Sequence, residues 1–302
     1  MNIYRDMDRE ALDRQYNLRA AVPGIEEDFA RWRRHSAETR ARCRHMADIA
    51  YGTAPGQKLD LFLPDDAGAG GLPLHIFIHG GYWMAMDKAD FSFVADGFTG
   101  RGIAVAVINY DLCPAVSFRT LMEQVMAVPA WAWRHGADHG LNPENITVSG
   151  HSAGGQMTAL LATTDWPAVA EDLPESLIRG GVPISGIYDL EPIRLCYLNE
   201  TLALNERDVA DFSPLRHLDG IMAPLVCAVG GRETDEFRRQ QRDFIAAAED
   251  SGHDIEGMEL ANFHHFDVID ELAKPESPLN KAVMRLIAEQ GAGHTGHGAG
   301  GG

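Results

Sequence analysis

The residue types and spacing that first point to chemistry are Gly150-His151-Ser152-Ala153-Gly154, a Gly-x-Ser-x-Gly pattern. Such a pattern presents a serine hydroxyl on a sharp turn between a strand and a helix. A serine hydroxyl is a weak nucleophile at neutral pH, so attack on a carbonyl needs a base, an acid to orient the base, and donors for the developing oxyanion. Candidates for each lie elsewhere in the chain. Gly230-Gly231-Arg232-Glu233-Thr234-Asp235-Glu236 offers three carboxylates, and Asn262-Phe263-His264-His265-Phe266-Asp267 offers two of the chain's 13 histidines. Upstream, His79-Gly80-Gly81-Tyr82-Trp83 has glycines that let backbone amides approach a reacting carbonyl. The N–H groups of Gly81 and Tyr82, with that of Ala153, are the expected oxyanion donors, each typically worth about 2.7–4 kcal/mol. Tyr82, Trp83, Phe91, Trp166 and Tyr188 are candidate pocket walls, of which Phe91 and Trp166 read more naturally as core. His135 and His139 stand at helical spacing, but no glutamate follows His135 and Gly136 and Gly140 interrupt the helix, so no metal site and no cofactor are expected.

These groups work together only if regular elements deliver them to one place. Asn145-Ile146-Thr147-Val148-Ser149, behind the turn-like Asn142-Pro143-Glu144, predicts a buried strand ending at the serine turn, and Gln156 to Ala162 predicts the helix after it. That helix would aim its unpaired N–H groups at negative charge on the reacting centre. Leu74–Ile78 and Ile103–Ile108 are continuous apolar runs, as strands buried on both faces require. Gly181–Gly186, Pro224–Val229 and Asp254–Leu260 continue the series, with helix-compatible stretches such as Asp90–Arg101 and Phe237–Ser251 between strands. Lys58–Leu63 alternates like an edge or half-buried strand. Strands alternating with helices give an α/β fold with a mostly parallel sheet, whose chemistry belongs at the carboxyl ends of the strands. The histidine pair, the acids and the glycine loop all follow predicted strands.

Residues 1–47 are charged and mostly helix-compatible, with a break at Pro23-Gly24, and read as an N-terminal helical extension of the same domain. Residues 48–290 form the α/β body, and 291–302, rich in Gly and His, read as a disordered tail. Pro64 to Pro73 is a glycine-rich loop whose Gly68-Ala69-Gly70-Gly71 is linker-like. The chain has 302 residues, 45% of them hydrophobic, which is ample for a large core, and no apolar run approaches the ~20 residues of a membrane span. Its start is charged, without the apolar stretch of a secretory signal. Four widely spaced cysteines without a C-x-x-C fit free thiols, so a cytoplasmic protein is expected. The net charge of −18, from 26 basic and 44 acidic residues, argues against nucleic-acid binding. The local run of Arg31, Arg33, Arg34, Arg40, Arg42 and Arg44 is read as a salt-bridged helix face.

Taken together, His79–Trp83, Asn109-Tyr110-Asp111-Leu112-Cys113-Pro114, Gly150–Gly155, Ser185-Gly186-Ile187-Tyr188-Asp189-Leu190-Glu191-Pro192 and Glu236-Phe237-Arg238-Arg239-Gln240 resemble the kynurenine formamidase (arylformamidase) branch of the α/β-hydrolase superfamily. This branch is related to hormone-sensitive-lipase-type esterases. The resemblance runs from about residue 10 to 285. It implies an α/β-hydrolase fold and hydrolysis of N-formyl arylamines or related small amides and esters, with a homodimer as the plausible assembly. It implies Ser152 as nucleophile and His265, directly before Phe266, as base. The family usually has aspartate where Glu233 stands, so Glu233 is the expected acid by alignment, with Asp235 as the alternative. A formyl-specific enzyme would need a small acyl pocket and an aromatic leaving-group site, for which Trp83 and Tyr188 are the expected walls.

Overall fold

The computed structural model describes residues 1–65, 71–221 and 223–292. Its centre is an eight-stranded sheet in the order β1-β2-β4-β3-β5-β6-β7-β8. The strands are β1 His45–Ala50, β2 Lys58–Phe62, β3 Leu72–Ile78, β4 Ala104–Ile108, β5 Leu141–His151, β6 Gly180–Ile184, β7 Val226–Gly230 and β8 Glu256–Leu260. β1 and β2 run antiparallel to their neighbours, and β4, β3, β5, β6, β7 and β8 are joined by parallel pairing. Every residue of β4, β6 and β7 is buried, as strands covered on both faces must be. The α/β architecture expected from the alternation of strands and helices is therefore the one found.

Three helices precede the sheet: α1 Arg9–Tyr16, α2 Leu18–Ala21 and α3 Ile25–Arg42. α3 opens with Glu26, Glu27 and Asp28 and closes with Arg40 and Arg42, charges that complement its dipole at both ends. Its buried Phe29, Trp32, Ser36 and Thr39 recur at helical spacing and face a 3-10 segment, Lys88–Gly97. There Trp32 packs on Phe91 with ring centroids 5.3 Å apart, Ser36 Oγ donates to the Asp90 carbonyl, and Thr39 Oγ1 donates to Asp96. The other face is ion-paired, as its sequence suggested: Arg31 reaches Asp28 and Asp270, Arg33 reaches Asp90, and Arg42 reaches Asp96.

The α1–α2 junction is tied to the body of the protein. The Tyr16 carbonyl accepts from the hydroxyls of Tyr82 (2.7 Å) and Tyr197 (3.3 Å). Tyr16's own hydroxyl donates to Glu236 and accepts from Gln240, and the Gln15 carbonyl accepts from Thr234. Further along, α4 Phe118–His135 begins at a Ser117 cap, α5 Ala153–Ala162 follows β5, and longer helices span Asp235–Asp250 and Pro278–Ala292.

Five expectations are corrected. β2 is an interior strand, not an edge one, paired on one side with β1 and on the other with β4. Its alternation misled because polar Asp60 is fully buried, neutralised by Lys88 and Arg40. β1 runs through the 47/48 boundary, so the extension and the α/β body share a strand. The stretch 90–101 is 3-10 rather than α-helical. β3 starts at Leu72, within the loop assigned to 64–73, and extends before Leu74. The helix Pro278–Ala292 runs two residues into the expected tail, and 293–302, like Gly68-Ala69-Gly70, lie outside the described residues.

Candidate active site

Ser152 sits between the end of β5 and the start of α5 at φ 60°, ψ −115°, a conformation costly for a residue with a Cβ. Its N–H donates to the Ile184 carbonyl at 2.8 Å and its carbonyl accepts from Gln156 N–H at 3.1 Å, which pins the turn to β6 on one side and to the helix on the other. Tight approach explains Gly154, where a Cβ would stand 2.0 Å from the Ile78 carbonyl oxygen.

His265 follows β8, and its Nδ1 lies 2.6 Å from Glu233 Oε2. Both side chains are essentially withdrawn from solvent. With Nδ1 facing a carboxylate, the neutral ring is assigned its proton there, leaving the Nε2 lone pair to accept one. Glu233 follows β7, and its other oxygen accepts from the Ser185 hydroxyl (2.5 Å) and the Gly230 N–H (2.7 Å). Those two donors fix one carboxylate oxygen, and His265 Nδ1 meets the other. The other two acids of the loop face elsewhere. Asp235 is exposed in the first turn of its helix, and buried Glu236 is clamped by Arg239 at 2.6 and 2.7 Å. His264, the alternative base, turns toward Asp267 and Asp28 instead.

The loop after β3 lies against the serine turn: a Cβ on Gly80 would stand 2.7 Å from the His151 carbonyl oxygen and 3.0 Å from Ser152 Cβ. Gly81, Tyr82 and Trp83 all take positive φ, at 109°, 51° and 58°. The Gly81 carbonyl closes this turn by accepting from the N–H groups of Met84 and Ala85. Among the described residues no protein acceptor takes the N–H of Gly81 or Tyr82, so both remain available to an oxyanion. Ala153 is the first residue of α5, where an N–H has no partner within the helix.

A cavity of about 320 Å³ is lined by Ser152, His265, Gly81 and Tyr82 together. Leu18 of α2 and Trp32 of α3 line the same cavity, so the N-terminal helices cover the site. Trp83 and Tyr188, the expected walls, do not reach it. Trp83 is fully buried, bonds Gln156 through Nε1 at 3.1 Å and packs edge-on against Phe118. Its left-handed backbone turns the ring beneath the loop instead of over the serine. Tyr188 stacks on Phe244 at 4.3 Å and belongs to the core behind β6 and β7. Phe91 is fully buried but also forms part of the cavity wall, whereas Trp166 is core. His135 and His139 pack on Trp131.

Two polar residues of the site carry no role in the sequence reading. Ser185 stands in the Ser-Gly-Ile-Tyr run, and its positive φ of 51° marks a special position only once the backbone is known. His151, the variable residue of Gly-x-Ser-x-Gly, places Nε2 2.7 Å from the His265 carbonyl, with the two rings 4.7 Å apart. Burial, reinforced by His265 nearby, holds the His151 pKa well below the usual histidine range. It is therefore a neutral donor to the backbone of its neighbour.

The BD-FAE family model matches residues 59–181. The chain is 29% identical over 302 residues to kynurenine formamidase of Danio rerio, covering 96% of this chain and 100% of that one, and 27% identical to the kynurenine formamidase of Salmo salar over the same shares. It is 28% identical to Esterase LipQ of Mycobacterium tuberculosis, covering 78% of this chain and 59% of the relative. Among solved structures, a Silicibacter protein provisionally named a thioesterase matches with TM-score 0.78 and 32% identity, over 90% of this chain and 98% of that one. Esterase B from Lactobacillus rhamnosis shares the fold, with TM-score 0.68 and 17% identity over 90% and 96% of the two chains.

Proposed function

We propose that this chain, which belongs to the α/β-hydrolase superfamily as a relative of the kynurenine formamidases, cleaves N-formyl arylamines through a formyl-enzyme. The observation that carries the reading is the His265–Glu233 contact of 2.6 Å in a cavity that Ser152 also lines. Ser152 Oγ attacks the formyl carbon while His265 Nε2 takes its proton. Glu233, charged and already paired with Nδ1, stabilises the imidazolium that results. The oxyanion is held by the N–H groups of Gly81, Tyr82 and Ala153. His265 then returns the proton to the nitrogen of the leaving amine, the C–N bond breaks, and water, deprotonated by the same histidine, releases formate and the serine.

The cavity supports an aromatic leaving group. Phe29, Trp32, Phe91 and Phe266 contribute to its wall, and its volume is near the lower end for small-molecule sites. The second reading, a carboxylesterase for short acyl chains, shares the whole apparatus and is favoured by the esterases among the relatives. Steady-state turnover of N-formylkynurenine and formanilide against phenyl acetate and butyrate, with Ser152→Ala as the blank, separates the two. Formyl amides should give the higher kcat/KM, and a marked preference for butyrate over every formyl amide refutes the formamidase reading. A reducing, cytoplasmic setting belongs to the same proposal, supported by four free cysteines, three of them buried. Among the described residues no helix is long and apolar enough to cross a membrane.

A further inference from the structure

The charge of the cavity wall is unlike that of the chain. With 44 acidic against 26 basic residues overall, the wall contains no aspartate or glutamate and one permanent cation, Arg19 of α2. Chance would favour the opposite sign. An apolar chamber with a single guanidinium in its cover is built to hold a molecule that is mostly apolar and carries one negative group away from the reacting carbonyl.

The neighbours of Arg19 agree with that role. Its guanidinium lies over the Phe29 ring, 5.6 Å from the centroid, and Phe29 is itself part of the cavity wall. The contact holds the cation at the cavity wall without consuming its N–H groups. One nitrogen, Nη1, reaches Glu26 at 2.9 Å, but both side chains are about 70% exposed, so the pair is screened and readily exchanged. The remaining donors keep the planar fork that matches a carboxylate. Asn17, also in the wall, accepts from Ala20 N–H through Oδ1 as the cap of α2, which leaves its Nδ2 as a second donor. The tyrosine hydroxyls nearby add none, because Tyr82 and Tyr197 both donate to the Tyr16 carbonyl.

We propose that Arg19, assisted by Asn17, is the residue that binds a carboxylate borne by the leaving group. Arg19 is thus a specificity-determining residue, and Glu26 its internal competitor. The inference rests on the formamidase reading for the acyl group but not for the role of Arg19. Its test is the ratio of kcat/KM for N-formylkynurenine to that for uncharged formanilide, measured at low and high salt. In the wild type the ratio should exceed one and fall as salt rises. An exposed ion pair sets the scale, so Arg19→Gln should lower the ratio by about twofold to fivefold, chiefly through KM. Arg19→Glu should lower it further, and Glu26→Gln should raise it. A ratio that Arg19→Gln and Glu26→Gln leave unchanged overturns the proposal. If phenyl esters are cleaved and formyl amides are not, the formamidase reading falls alone. Carboxylated and uncharged phenyl esters then replace the formyl pair and decide the role of Arg19 by the same ratio.

Discussion

Glu233 and Asp60 are both carboxylates with side chains sealed from solvent, yet their surroundings differ in kind. Asp60 meets permanent cations: Lys88 Nζ lies 2.8 Å away, Arg40 reaches the other oxygen, and the Asp48 N–H adds a third bond. Burial pushes the Asp60 pKa up, but the bonds from Lys88, Asp48 and Arg40 outweigh it and hold the group below the usual carboxylate range. Glu233 meets two neutral donors and a histidine. No Lys or Arg contacts it among the described residues. Asp60 therefore clamps the interior strand β2 to α3 and to the segment beginning at Lys88, and its charge partners do not change at neutral pH. Glu233 is held by the Ser185 hydroxyl and the Gly230 N–H, and its remaining partner is the His265 ring. Asp60 has the surroundings of a structural ion pair, and Glu233 has those the proposed reaction requires of its acid.

Substitution tests that division. Ser152→Ala should lower kcat by about 10⁴–10⁶-fold, and Glu233→Gln by about 10³–10⁴-fold, in both cases with the protein still folded by circular dichroism. Asp235→Asn should stay near wild type, and the reverse pattern would move the acid to Asp235. Asp60→Asn should do the opposite of Glu233→Gln. It leaves Arg40 without its carboxylate and Lys88 with Asp48 alone, and should cost about 3–5 kcal/mol in urea unfolding, while kcat per folded molecule is preserved. The pH dependence follows from the depressed pKa of folded Asp60. Its contribution to stability is complete above the unfolded value of about 3.9 and disappears as pH falls through the lower folded value. The melting temperature of Asp60→Asn should therefore decline less steeply than that of the wild type over the acid range below about pH 4.

Ser185→Ala removes one donor from the Glu233 carboxylate and should reduce kcat by about tenfold with little change in KM, since Ser185 acts through Glu233. An effect as large as that of Glu233→Gln would show that the carboxylate swings away without it. The smallest effect belongs outside both shells. Trp83→Phe should alter KM by no more than about twofold, with loss of the Gln156 bond appearing as roughly 1 kcal/mol of stability. A larger rise in KM would return Trp83 to the pocket.

The positions proposed for catalysis were legible as strand ends, because strands are the strongest periodic signal in an α/β chain. Ser152, the oxyanion loop and the loops bearing Glu233 and His265 could be assigned to strand ends without knowing their distances. Choosing Glu233 over Asp235 needed the family alignment, and the structure brings Glu233 against His265 while Asp235 points outward. The pocket walls were not legible. Trp83 and Tyr188 stand next to functional loops in sequence, but backbone torsion and core packing, which no pattern of residue types encodes, send both rings inward. Conversely, Phe29 and Trp32 look like the apolar stripe of any amphipathic helix, and the same stripe serves whether it covers core or cavity. Asp60 was misread for a related reason: alternation assigns a charged residue to solvent, and its partners come from distant positions 40 and 88.

The bonds around Tyr16 bear on redesign. Its carbonyl receives Tyr82 from the oxyanion loop, and its hydroxyl meets Glu236 and Gln240 on the helix that follows the Glu233 loop. The cover and the reaction centre are thus spliced at the end of α1, through Tyr16 and its neighbour Gln15. Exchanging the first 42 residues for those of a relative, an obvious route to new leaving-group preference, would import a foreign Tyr16 environment and disturb the alignment of the Tyr82 amide. Specificity in this protein is better retuned by single replacements within α2 and α3 than by transplanting the segment whole.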